Sequence, residues 1–115
     1  MSDKEYIDYI QDILNSIEEI EEFTKGLTYD EFAEDRKTIN AVVRSLEIIG
    51  EATKNTPDSI REKYSEIPWK SMAGMRDKLI HEYSGVDLAI VWKTIQNNIA
   101  EVKPLIKEIK QDLQE

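Results

Sequence analysis

Residues 87–113 read DLAIVWKTIQNNIAEVKPLIKEIKQDL, and the apolar positions in this stretch decide the fold. Leu88, Val91 or Trp92, Ile95, Ile99, Val102, Ile106, Ile109 and Leu113 recur at alternating three- and four-residue steps. A helix turns once in about 3.6 residues, so this spacing lines them along one side. A stripe of that length suits packing against other long helices. Asp87 is placed to cap the start. Pro104 lies inside the stripe and removes one backbone hydrogen bond, which predicts a kink near Ala100.

The same period appears at the other end of the chain. Ser2 and Glu5 have the spacing of a capping box, and Ile7, Ile10, Leu14, Ile17 and Ile20 follow as a stripe that Phe23 continues. Gly26 is a natural stop. The opposite face holds Asp8, Asp12, Glu18, Glu19, Glu21 and Glu22, which reads as a solvated face or as a docking surface for a basic partner. Thr28 and Glu31 form a second capping box, opening a short turn that runs to Asp35. From Arg36 to about Lys54, Ile39, Val42, Val43, Leu46, Ile49 and Thr53 share one side of a helix, beside a charge array of Arg44, Glu47 and Glu51. Gly50 inside that helix costs about 1 kcal/mol of propensity, and a close helix crossing there would explain it.

Thr56 as N-cap and Pro57 at the first helical position restart the chain after a break, giving a short helix through Tyr64. Pro68 then begins a helix with Met72, Met75, Leu79 and Ile80 on its apolar side, ended by Ser84 and Gly85. There is no strand signal, internal repeat or low-complexity segment. These readings give one all-α domain over 1–115, an up-and-down bundle of four main helices with an extra short helix.

Composition narrows the function classes. The 115 residues contain no cysteine, which excludes disulfides, thiolate metal sites and thiol nucleophiles and fits a reducing cytoplasm. No apolar run reaches the roughly 18 residues of a membrane span, and the first residues do not resemble a signal peptide. The net charge of −9 opposes nonspecific nucleic-acid binding. That charge is uneven, however: residues 1–35 hold twelve acids and two bases, and residues 36–115 hold twelve acids and thirteen bases. A local positive site is therefore available in the second part of the chain.

The chemistry-bearing residues gather at Met75-Arg76-Asp77-Lys78-Leu79-Ile80-His81-Glu82-Tyr83, which includes the chain's single histidine. Guanidinium holds phosphate oxygens bidentately and imidazole moves protons near neutral pH, so Arg76 and His81 suit phosphate chemistry. A lone histidine near a helix end equally serves capping or packing. On a continuous helix Asp77 and His81 are neighbours four apart, and the carboxylate would orient the ring. Arg76 and His81 are five apart, about 140° around the helix, so one copy makes a poor acid–base pair. Two copies across a twofold axis would assemble a composite site, which favours a homodimer for any catalytic reading. One histidine with scattered carboxylates is too few ligands for a metal, and the four isolated glycines build no phosphate-binding loop. No metal and no cofactor is expected.

Arg76-x4-His81-x-Tyr83 resembles the signature of the HepT-like ribonuclease toxins of the HEPN superfamily. Leu46-Glu47-Ile48-Ile49-Gly50-Glu51-Ala52 looks like that family's second helix. Trp69, Gly74-Met75-Arg76-Asp77, Ile80-His81-x-Tyr83, Val86-Asp87 and Val91-Trp92 look like its motif region. The likeness covers the chain from roughly Tyr6 to Ile109. It implies a helical homodimer that cleaves RNA without metal, the toxin of a type VII-like toxin–antitoxin pair, with Arg76 and His81 as catalytic residues. Asp77 stands where the family often has Asn, which adds negative charge beside the phosphate. The resemblance also implies an MNT-type nucleotidyltransferase antitoxin as partner, which would silence the nuclease by nucleotidylating Tyr83. The other expectation is a catalytically inactive HEPN module that binds a nucleotidyltransferase or nucleotide.

Overall fold

The computed structural model describes the backbone of residues 3–75, 77, 80, 81 and 85–115, and the side chains of these except at 3–5, 80, 81, 85 and 86. The capping box read at Ser2 and Glu5 lies outside the described residues. Helix α1 (Asp3–Thr24) buries Ile10, Ile13, Leu14, Ile17 and Ile20, as its period requires. Phe23 departs from the expected stripe and is 38% exposed. Thr24 takes the core side instead, its hydroxyl donating to the Ile20 carbonyl at 2.8 Å. Gly26 ends the helix with φ +78, a conformation that glycine adopts without a Cβ penalty. The six acids expected on the outer face are all exposed.

Helix α2 (Tyr29–Glu34) starts at the predicted capping box. Glu31 N–H donates to Thr28 Oγ1 at 3.2 Å, and Thr28 N–H donates to Glu31 Oε1 at 2.9 Å. Phe32, fully buried, pins this helix to the end of the chain through the Trp92 ring, 5.1 Å between centroids. Helix α3 (Arg36–Asn55) is capped by Asp35, which accepts from Thr38 N–H at 3.1 Å and Thr38 Oγ1 at 2.6 Å. Those bonds hold the Asp35 carboxyl below its ordinary range. Val42, Leu46, Ile49, Ala52 and Thr53 face inward, and α3 packs along α1 as the main contact of the bundle.

The break after α3 differs in detail from the sequence reading. Thr56 closes α3 rather than opening the next helix: its hydroxyl donates back to the Ala52 carbonyl at 2.9 Å. Pro57 precedes helix α4 (Asp58–Lys63) with no side-chain cap. Arg61 reaches back from α4, its Nε donating to the Thr56 carbonyl at 3.0 Å and its terminal nitrogen to the Thr53 carbonyl. A guanidinium there complements the carbonyl end of α3, sharing the Thr53 carbonyl with the Thr56 N–H at 3.1 Å.

Helix α5 (Trp69–Ala73) ends sooner than expected, with Gly74 at its C-cap. Met75 and Asp77 are still helical, but Ile80–His81 (β1) is extended. It pairs antiparallel with Gly85–Val86 (β2), Ile80 opposite Val86 and His81 opposite Gly85. The continuous helix expected through Ser84 is thus replaced by a minimal ladder. Asp87 then caps helix α6 (Leu88–Lys93), accepting from Ile90 N–H at 3.2 Å. A π-helical turn (Thr94–Ile99) and helix α7 (Ala100–Gln114) complete the chain. The irregularity near Ala100 therefore takes the form of a π turn just before the segment that contains Pro104. Apart from the two-residue strands the described chain is helical, an all-α bundle whose core runs from Ile10 to Ile109.

Candidate active site

The chain enters the motif from a firmly packed base. Trp69 and Met72 of α5 are 6% and 2% exposed, and the Trp69 indole N–H donates to the Tyr64 carbonyl at 3.0 Å. Both are packed into the chain's own core. Gly50 of α3 lies under the end of α5: a Cβ there would meet the Ala73 and Met72 carbonyl oxygens at 3.5 Å. The suspected close crossing is real and fixes where the motif begins. Met75 is buried beside it, and two residues on Asp77 is exposed.

The motif residues therefore sit on different supports. Asp77 is at the helical exit from α5, and the His81 backbone is held in the ladder opposite Gly85. Because Ile80–His81 is extended, the Asp77–His81 pairing does not have the i,i+4 spacing of one continuous helix that the sequence reading assumed. The same holds for the 140° separation of Arg76 and His81, which assumed unbroken helix. Arg76 and Tyr83 lie outside the described residues, as does the His81 side chain. What the fold does fix is the frame on both sides of the motif: Met75 seated in the core before it and Asp87 capping α6 after it.

Hollows among the described residues include one between α1 and α3 and one beside α5. Arg44, Glu47 and Glu51, read from sequence as an ordinary surface array, line a shallow cavity of about 390 Å³ with Tyr9 and Asp12 of α1. A second cavity of about 440 Å³ opens between α5 and the π turn, with Met72 and Met75 in its wall. Nothing in the spacing of its residues marked it, because they come from four elements: α5, α6, the π turn and α7.

The model of the ribonuclease HepT-like family matches residues 13–109, from the middle of α1 to the last turns of α7. The chain belongs to that family. "Probable ribonuclease HepT" of Thermococcus cleftensis is 48% identical over 103 residues, covering 90% of this chain and 94% of its own. A protein of Caldanaerobacter subterraneus subsp. tengcongensis, named as a candidate RNase, is 52% identical over 103 residues, 90% of this chain and 92% of its own. Another so named, from Methanocaldococcus jannaschii, is 45% identical over 114 residues, 96% and 94% of the two chains. No solved structure matches the chain. The HepT-like match takes in Arg76, Asp77, His81 and Tyr83, so the motif falls inside the family's span rather than in an added segment.

Proposed function

We propose that this chain is a metal-independent endoribonuclease, the toxin of a type VII-like toxin–antitoxin pair, working as a homodimer with a composite active site. One observation carries the reading: the HepT-like family match and the Arg76-x4-His81-x-Tyr83 motif coincide in the same chain. In the reaction, His81 takes the proton from a ribose 2′-OH, and that oxygen attacks the adjacent phosphorus. The P–O5′ bond breaks, leaving a 2′,3′-cyclic phosphate, and the departing O5′ receives a proton from the imidazolium of the second copy. Arg76 balances the charge that builds on the phosphoryl oxygens, and Asp77 orients the imidazole. Two copies are needed because one chain offers a single imidazole for two proton transfers.

A nucleotidyltransferase partner silences this site by adding a nucleotide monophosphate to Tyr83. The tyrosine is two residues from His81, and the added phosphodiester brings bulk and negative charge against an incoming RNA backbone. Expression in a host that lacks any partner tests the reading. The wild-type chain arrests growth, and His81→Ala relieves the arrest while the protein remains soluble and helical. Full tolerance of the wild-type chain would favour the inactive module, whose sequence basis is the acid excess of residues 1–35.

A further inference from the structure

The cavity between α5 and the π turn differs chemically from the rest of the surface. Its floor is apolar, formed by Met72, Met75, Ile99 and Val102, all buried. Among the described residues lining it none is acidic, in a chain with 24 acids among 115 residues. The one charged residue among those described is Lys93, exposed at the end of α6 and in no ion pair with another described residue. Asn98 stands across the mouth, exposed, with an amide that makes no hydrogen bond to a described residue. Asn98 and Ile99 both belong to the π turn, an irregularity that costs backbone regularity and recurs at functional sites. Met75, in the cavity wall, directly precedes Arg76 in the chain.

We infer that this cavity is a subsite for one nucleotide of a single-stranded RNA, next to the phosphate that is cut. The inference rests on the ribonuclease reading above. The two methionines offer a polarizable floor for a base face. Asn98 can donate to and accept from a base edge, and Lys93 pairs with the nucleotide's phosphate. About 440 Å³ is within the range of ligand sites and ample for a base with its ribose.

The test separates binding from cutting. The His81→Ala chain is titrated with a short fluorescein-labelled single-stranded RNA of mixed sequence, alone and combined with Lys93→Ala, Lys93→Glu or Asn98→Ala. Both alanine variants should weaken binding roughly tenfold, Lys93→Glu should weaken it further, and Lys93→Ala should lower the salt slope by about one. In chains with His81 intact, the same substitutions should raise KM for cleavage more than they lower kcat. Circular dichroism should not change, since Lys93 and Asn98 are both exposed. Unchanged binding and KM, in chains whose wild type still cuts RNA, would overturn the subsite and leave the ribonuclease reading standing. A wild type that neither binds nor cuts RNA would overturn both. Binding of AMP that the variants lose, without RNA binding, would assign the cavity to a free nucleotide. Dissociation of the variants in light scattering would assign it to a second copy. Either result would overturn the proposal.

Discussion

Tyr64 ties the middle of the chain to its end. Its hydroxyl donates to the Asp112 carboxylate of α7 at 2.8 Å, and the Lys63 ammonium lies 5.6 Å from its ring centroid. Desolvation, with the hydrogen bond to Asp112 adding to it, raises the phenol to about 12 from its ordinary 10.0. A group raised on folding contributes stability below its unfolded value and loses it as pH climbs through the folded one. Thermal stability should therefore be independent of Tyr64 ionisation up to about pH 10 and decline toward pH 12. Tyr64→Phe should be less stable at neutral pH and show a shallower alkaline decline, measured by Tm across that range. Tyr83 carries a different prediction. Tyr83→Phe should remain folded and toxic but escape silencing, and mass spectrometry after incubation with the nucleotidyltransferase and ATP should find added nucleotide on the wild type alone. Equal modification of both chains would remove Tyr83 from the regulatory role.

Between helices, Gly50 of α3 lies against the end of α5, where a Cβ would meet the Met72 and Ala73 carbonyls. The 3.5 Å approaches to the Met72 and Ala73 carbonyls are ordinary van der Waals contacts. Gly50→Ala should thus fit, and the helix-propensity gain of about 1 kcal/mol should make it neutral or mildly stabilising. Gly50→Leu should push α5 off α3, costing roughly 1–3 kcal/mol in urea unfolding. Because α5 leads into Met75 and Arg76, that variant should also lose cleavage activity while its folded fraction persists. At this scale the sequence was legible where one local signal acted alone. The three- and four-residue steps of α1 as far as Ile20, of α3 and of the last helix, and the caps at Thr28 and Asp87, appear as read. It was not legible where two local signals competed. Leu79 and Ile80 continue a helical stripe, yet Ser84-Gly85 is also a turn signal, and the ladder between β1 and β2 took precedence. The Thr56 hydroxyl likewise had two helices to serve and bonded back to α3. Around the candidate site, Gly50 meets the end of α5 and the cavity joins α5 to the π turn, pairings between distant parts of the chain that no local signal announces.

Across the whole molecule, charge is sorted by position. The exposed acids of α1 lie on one long helix, and among them Glu21 accepts from Lys103 Nζ at 2.6 Å, a solvent-screened surface pair. On the proposed ribonuclease reading RNA approaches from the other part of the chain, and binding should weaken steeply with added salt. The composite site further requires two copies: light scattering should give a dimer mass, and a concentration-independent monomer would remove the paired-imidazole mechanism. The most direct measurement is cleavage of single-stranded RNA by the purified chain in EDTA, with Arg76→Ala and His81→Ala in parallel. The account predicts cleavage by the wild type in EDTA, products ending in 2′,3′-cyclic phosphate, and no cleavage by either variant although both keep the wild-type helical circular dichroism. Cleavage that survives in both variants, or that EDTA abolishes in the wild type, would contradict it.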